Sequence, residues 1–526
     1  MRTRDEPTAA PGRTVATRTM LGSHRDAIAL AVLWIAVTGL NLGWLSLNAR
    51  PPHWDEANHL ANSITYLALL SPDHLGEWLQ TYTYYPPFAY WVADVFYVAA
   101  RRTDLWVAVL SQSVFLAILI GSTYGIGRQL GSSRGGLMAA LFVATTPMLV
   151  SGFKDFMLDA PLAAMAALGL YLLIRSREFR VPWASLLFGV VCGLGMLTKW
   201  TFVFALVDTV RRRSTARILP LTGAVGLLLI VAAPWYLGNL SSLLRDAILL
   251  KGCPGCGWYA QVEGDPPLST VRAWLWYGWD LVSLQLFLVP FGLFLVGIVI
   301  AVRDRAAARR NNYPLLFVGG IYLVQTLLVS KDPRYSLPLI AGVAVLATYW
   351  IDRLRPPART AIAAAISLYC TITFLALSFG SPLLPQKIDV ALPKADLVSE
   401  LPDFTPAGDF VAFRGLRIWS QQGYPLGRPS ADQWHQEVVF QIAARESSLR
   451  TLWYHGANID TIWFNDLAMR YFSLRYGVRL VADPAGADVA AIRTLAFETP
   501  GVPLGFSEMR AFSLPDGSTL RVYRRS

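Results

Sequence analysis

Apolar residues fall in long runs separated by short polar, often arginine-bearing, breaks. A stretch of roughly 20 apolar residues is needed to cross a bilayer as a helix. Runs of this kind predict crossings at 27–47, 105–124, 137–153, 159–174, 218–237, 273–302, 314–329, 336–351 and 361–379. Two further runs, 88–100 and 183–210, are short or interrupted. Between the first two crossings, 61–70 has the spacing of a helix lying along a surface.

Basic residues settle both uncertain runs, because arginine and lysine concentrate in cytosolic loops. The Arg-rich residues 1–25 place the N-terminus inside, ahead of a run too long for a cleavable leader. If 88–100 lies at the outer interface, Arg128, Arg134 and the cluster Arg175 to Arg180 fall inside. The clusters Arg175 to Arg180 and Arg211 to Arg217 are both basic, so 183–210 must cross twice. It is read as a hairpin of 183–197 and 201–210 with Lys199 at the outer turn. A mid-bilayer lysine would cost about 2.5–3.5 kcal/mol, which the hairpin avoids. The chain then makes about eleven crossings.

Beyond the last run, composition shifts toward Asp, Glu and Gln. A strand is predicted at 461–464, a helix at 466–476, a strand at 478–481 and an edge strand at 519–523. The fold class expected is mainly α: a polytopic bundle with a small α/β extracytoplasmic domain. Its divisions are a basic cytosolic tail (1–26), a membrane domain (27–379) and the outer domain (380–526). No fixed-period repeat is present.

Composition agrees with the pattern. Of 526 residues, 54% are hydrophobic and 15% charged, against about 25% charged in soluble proteins. The net charge of +11 is dispersed between apolar runs, so it does not form the basic face that nucleic-acid binding requires. Cys192 and Cys370 lie within apolar runs and read as core residues. Cys253 and Cys256, in Cys-Pro-Gly-Cys on the outer side, are expected to form a disulfide in an oxidising compartment.

The topology collects polar groups from distant loops on one side: Asp55 and Glu56, then Lys154, Asp155 and Asp159, then Lys199, then Lys331 and Arg334. Acids and cations meeting at a membrane boundary suit attack by a hydroxyl or amine on a sugar whose leaving group is a lipid phosphate. The acid takes or orients the nucleophile's proton; the cations hold the phosphate as the bond to the sugar breaks. Structural roles compete for each group. Asp159 can cap the helix that Pro161 opens, Lys199 can snorkel, and Lys331 and Arg334 can anchor helix ends. His53 and His59 flank the acid pair and could bind a divalent cation with Asp55, although the spacing is not a metal motif.

Five motifs in order carry a resemblance: His53-Trp-Asp-Glu-Ala57, Tyr85-Pro-Pro-Phe-Ala-Tyr-Trp91, Phe156-Met-Leu-Asp-Ala-Pro161, Gly193-Leu-Gly-Met-Leu-Thr-Lys199 and Lys331-Asp-Pro-Arg-Tyr-Ser-Leu-Pro338. Over about 27–379 the chain resembles the GT-C class of polyprenyl-phosphate-sugar-dependent glycosyltransferases, the superfamily of the protein O-mannosyltransferases and the lipid A aminoarabinose transferase. The resemblance implies an inverting hexosyl- or pentosyltransferase of the cytoplasmic membrane, multi-pass, with its C-terminal domain outside. It implies that Asp55 is the acid–base residue, Asp159 supports the site and Lys199 lies near the donor phosphate. Glu56 joins the catalytic set, Lys331 and Arg334 join the phosphate set, and His53, His59, Tyr85 and Tyr335 fall in the substrate's vicinity. The partners implied are a polyprenyl-phosphate sugar, a glycan, lipid or protein acceptor, and membrane lipids. Tyr84-Tyr85 stands where the aminoarabinose enzyme has Glu-Lys, and Trp200 replaces the glycine usual after the lysine. Outside that resemblance, a lipid-glycan transporter or flippase and an O-antigen-ligase-like transferase using a lipid diphosphate are the competing functions.

Overall fold

The structure, a computed structural model, describes residues 12–206, 218–245, 266–304, 308–328, 331–391, 401–404, 410–413, 415–423, 426–445, 450–456, 462–495, 498 and 501–526. Among these, six helices are long and apolar enough to cross a membrane: His24–Leu47, Leu105–Leu130, Asp159–Ser176, Ile218–Gly238, Pro333–Arg353 and Pro356–Phe379. Shorter apolar helices complete the bundle at Phe88–Ala100, Ser133–Ala144, Pro182–Thr198 and Leu288–Arg303, with Ala308–Thr326 beside them. Burial orders them. Pro333–Arg353 and Asp159–Ser176 are 89% and 78% buried and form the centre, whereas His24–Leu47 and Ile218–Gly238, at 22% and 17%, form the lipid-facing flank.

Lipid tails give apolar helices no reason to leave them for one another, so packing in membranes favours small residues that let backbones approach. Gly189 faces the Ala224 carbonyl and Gly297 the Leu346 carbonyl, at separations that leave no room for a side chain.

Three expected runs are broken. The run 137–153 divides into Ser133–Ala144 and Pro147–Gly152. Pro147 excludes helical backbone at Thr146, which sits at φ −61°, ψ 128°. The hydroxyls of Thr145 and Thr146 bond back to the carbonyls of Leu141 and Phe142 at 2.8 and 3.0 Å, as an irregular backbone at membrane depth requires. The run 273–302 divides into Val271–Asp280, a wide π turn Leu281–Gln285, and Leu288–Arg303, with Phe287 at φ 61° between them. The run 336–351 begins and ends as 3-10 helix (Pro333–Leu339 and Tyr349–Arg353) around the α-helical Ile340–Thr348.

In the hairpin, Pro182–Thr198 matches its first arm. Lys199 is extended, at φ −157°, ψ 134°. The described part of the second arm, 201–206, lies in the 3-10 helix Trp200–Leu206 rather than in an α-helix; its aromatic and β-branched residues are weak helix formers.

The C-terminal region holds a five-stranded mixed sheet in the order Arg479–Val481, Thr451–Gly456, Val489–Thr494, Thr519–Arg525, Phe506–Ser513. The first three strands are parallel and the last two antiparallel. The helix Asp466–Tyr476 falls where the pattern predicts. One predicted strand is absent, and another is present but not at the sheet edge. Residues 462–464 form a bend because Trp463 and Phe464 are buried by packing rather than by sheet pairing. Thr519–Arg525 is interior, since Phe506–Ser513 covers its far side.

This region is seated on the bundle. Trp44 Nε1 donates to the Gly427 carbonyl at 3.0 Å, and the Leu426 amide donates to Ser151 Oγ at 2.9 Å. Helix Trp54–Ala68 has Glu56, His59, Asn62 and Tyr66 buried. It does not lie on a surface as its spacing suggested: Arg470, from helix Asp466–Tyr476, reaches across it to Asn58 and Asn62.

Candidate active site

The first crossing ends at Leu47, and His53, in extended backbone at φ −76°, ψ 174°, caps helix Trp54–Ala68. Glu56, three residues on, accepts the His53 amide at 3.4 Å, the reciprocal half of a capping box. Asp55 thus occupies the first turn, where helix amides favour negative charge. Its carboxylate is half exposed and receives Arg334 Nη1 at 2.7 Å. Arg334 is itself clamped. Asp332 caps the 3-10 helix Pro333–Leu339 by accepting the Arg334 amide at 2.8 Å, and it takes Nε and Nη2 of the same guanidinium at 2.6–3.1 Å. Burial raises the Asp55 carboxyl's affinity for a proton, but the Arg334 charge outweighs this and holds it well below the usual carboxylate range.

A second pair stands beside the first. Asp159 opens helix Asp159–Ser176, and Lys199 leaves helix Pro182–Thr198 in extended backbone. Lys199 Nζ meets Asp159 Oδ1 at 2.7 Å, with the two side chains 7% and 5% exposed. Tyrosines join the pairs. Lys199 Nζ lies 5.2 Å from the Tyr85 ring and 5.6 Å from that of Tyr335, the residue after Arg334. Tyr85 in turn lies 5.5 Å from His59, on the Asp55 helix. His59 Nδ1 pairs with Tyr90 Oη at 2.8 Å, and burial lowers its pKa to about 3, so it is a neutral ring at ordinary pH. From Asp159 and Tyr335 a narrow, largely apolar cleft of about 20 Å³ runs between Leu162, Ala166, Phe202, Ile321 and Leu328.

Behind Asp55 is a closed cluster. Glu56 Oε1 accepts the Phe156 amide at 3.0 Å, His53 Nε2 meets Asp155 Oδ2 at 3.4 Å, and His53 lies edge-on to Trp463. Lys154 Nζ sits over the Trp44 ring at 5.2 Å. Burial pushes Glu56 up to about 7 and, with Arg50 nearby, pulls Lys154 down to about 7. Burial opposes a charged His53, yet the hydrogen bond to Asp155 and the Glu56 charge leave its pKa raised.

Known structures share the overall fold. ArnT from Cupriavidus metallidurans bound to undecaprenyl phosphate superimposes with a TM-score of 0.56 at 13% identity, over 94% of this chain and 97% of that one. The same protein in the apo state gives 0.53 at 14% identity, over 94% and 98%. The fold is that of ArnT. Residues 85–237 also match the family model described as dolichyl-phosphate-mannose-protein mannosyltransferase, a stretch that holds Tyr85, Asp159 and Lys199. No curated protein matches the chain. With these spans and this fold, the chain is a multi-pass membrane protein.

Within this fold, Asp55, Arg334, Asp159, Lys199, Tyr85, Tyr335 and His59 are brought together. Three expected residues are placed otherwise. Glu56 is 3% exposed, with its oxygens on the His53 and Phe156 amides, so it ties loops together behind the cavity. His53 faces Asp155 and Trp463. Lys331 directs its ammonium to the Thr326 and Leu328 carbonyls, both at 2.5 Å, and so caps helix Ala308–Thr326 instead of facing the cleft. Cys253 and Cys256 lie outside the described residues. Among the described residues no group of three or more His, Cys, Asp or Glu could hold a metal. The pattern reading overlooked Asp332, although an Asp-Pro-Arg step at a helix start is a recognisable cap. It also overlooked Trp463, whose contact with His53 spans most of the chain and leaves no local signal.

Proposed function

We propose that the protein is a membrane glycosyltransferase that moves a sugar from a polyprenyl-phosphate carrier to a hydroxyl or amine of a glycan, lipid or protein. The reaction takes place on the outer face of the cytoplasmic membrane, with the N-terminus cytosolic and the residues after 380 outside. One arrangement carries the reading: the half-exposed Asp55 carboxylate, paired with Arg334, stands beside the buried Asp159–Lys199 pair, whose ammonium faces Tyr85 and Tyr335, and Asp159 and Tyr335 open onto an apolar cleft.

The roles follow from the chemistry. The carrier's chain lies along the cleft past Leu162 and Ile321, which leaves its phosphate beside Lys199 and the Tyr335 hydroxyl. The acceptor approaches Asp55 from the opposite side of the sugar. Its oxygen or nitrogen bonds to the anomeric carbon as its proton passes to Asp55. The carbon–oxygen bond to phosphate breaks, and the electron pair leaves with the polyprenyl phosphate, so the configuration inverts. Lys199 and Arg334 stabilise the growing negative charge, and Asp159 holds the Lys199 ammonium in place. Bound undecaprenyl phosphate in the ArnT structure fits a carrier of this class. Arg334 supplies the positive charge beside Asp55, so no divalent cation is needed there.

Mass spectrometry of lipid-linked sugars and envelope glycans in a deletion strain tests the proposal. A polyprenyl-phosphate sugar should accumulate while one glycan or glycoprotein loses a residue. Unchanged profiles on both sides would refute it.

A further inference from the structure

The wide π turn at Leu281–Gln285 has no part in the mechanism above, yet it is one of the most enclosed polar places in the chain. Such turns cost regular hydrogen bonding and recur where a helix must aim particular side chains. Here it aims Gln285, fully buried, whose Nε2 donates to the Pro333 carbonyl at 2.9 Å and to Ser336 Oγ at 2.7 Å. The Ser336 hydroxyl donates onward to Asp280 Oδ2 at 2.6 Å. Asp280, also fully buried, ends the helix from which the π turn departs. Phe287, at φ 61°, is the strained exit of the same break. The two residues gripped, Pro333 and Ser336, bracket Arg334 and Tyr335.

A short 3-10 helix with two prolines has weak internal bonding, so external contacts must fix its rotation. Rotating this one would lift Arg334 from Asp55 and Tyr335 from Lys199 together. We infer that Gln285, Ser336 and Asp280 are positioning residues that set the rotation of the Pro333–Leu339 helix and thereby hold Arg334 and Tyr335 in the transfer site. The grip has an outer neighbour as well: Ser283, within the π turn, accepts the Arg417 amide at 3.3 Å, and Trp279 donates to the Gly415 carbonyl at 2.6 Å. The C-terminal strand Leu416–Ser420 therefore rests on the same turn that aims Gln285.

The inference rests on the transferase reading, and a double-mutant comparison tests it with full-length protein in detergent and an undecaprenyl-phosphate sugar. Gln285→Leu keeps the side chain's bulk and removes both donors. It should raise the donor KM several-fold more than it lowers kcat, and Ser336→Ala should do the same to a smaller extent. In an Arg334→Gln background, Gln285→Leu should change transfer clearly less than it does in the wild type, leaving only the part that acts through Tyr335, while lowering thermal stability as much as it does alone. Activity losses that multiply independently in the two backgrounds would overturn the inference. So would a Gln285→Leu enzyme with wild-type KM. If the wild-type protein transfers no sugar from such donors, the transferase reading fails by itself. A structure of Gln285→Leu then decides the grip: Arg334 still on Asp55 refutes it, and a rotated Pro333–Leu339 helix supports it.

Discussion

Removing the charge of Lys199 or of Asp159 should separate stability from chemistry. Their contact is 2.7 Å, and both side chains are almost wholly enclosed. Lys199→Met leaves the Asp159 carboxylate buried without its partner, and Asp159→Asn leaves the Lys199 ammonium so. Either change should cost about 3–5 kcal/mol, the usual effect of stranding one member of a buried pair. The double variant strands neither charge and should recover most of that loss, because a buried pair exchanged for neutral groups is often nearly neutral in stability. Transfer should behave otherwise. If Lys199 also faces the donor phosphate, losing a charge-assisted hydrogen bond of about 1.5–3 kcal/mol lowers kcat/KM about 10- to 150-fold. The double variant should stay equally impaired. Denaturant titration in detergent gives the stabilities, and release of polyprenyl phosphate from a labelled donor gives the rates. Recovery of transfer together with stability in the double variant would show that Lys199 only balances Asp159. Single variants within about 1 kcal/mol of wild type would show that the pair is solvated.

Asp55→Asn should slow polyprenyl phosphate release by about 10²–10⁴, the usual worth of a general base, with stability within about 1 kcal/mol because the group is half exposed. Unchanged turnover would remove Asp55 from the mechanism. The contribution of the Glu56 cluster to folded stability should fall as pH rises from about 4 to 7. Glu56, Asp155 and His53 all bind protons more tightly in the fold than the usual side-chain values, so their contribution is full below the unfolded pKa, about 4.3 for Glu, and is lost as pH passes the folded value. Glu56→Gln should flatten that slope in unfolding titrations, and an unaltered slope would place the protons elsewhere. Since Arg334 neutralises Asp55, transfer by the purified protein should survive EDTA treatment; loss restored by added Mg²⁺ or Mn²⁺ would point to a cation at the site. Arg334→Gln should move the acid limb of the kcat/KM profile upward in pH, because the charge that depresses Asp55 is gone; a fixed limb would assign that titration to another group.

Legibility in the sequence divides along physical lines. Spans such as Leu105–Leu130 and Pro356–Phe379 are readable because one dominant requirement, an apolar surface long enough for lipid, acts on every residue. The breaks at Pro147 and at Leu281–Gln285 are harder. The first has a local cause, since a proline restricts the residue before it, and it could have been anticipated. The second has none: the 273–302 run is apolar enough to continue, and only its contacts with Pro333 and Ser336, some fifty residues away, show what the π turn aims at. The same distinction sorts the site. Asp55, Asp159 and Lys199 stand at helix ends, where a charge within an apolar chain is conspicuous. Glu56, adjacent to Asp55, carries the same charge and looks equivalent in a string of letters. Its separate place arises because a helix turns about 100° per residue. That rotation turns Asp55 to the cavity and Glu56 inward to the Phe156 amide, so the acid that holds the Asp55 turn against the loop leading to Asp159 is a different residue from the one that can meet substrate. Lys331 and Arg334 differ for the same reason. Three residues apart around Asp332, one closes a helix end and the other reaches Asp55, and the cap that Asp332 makes determines which cation enters the cavity.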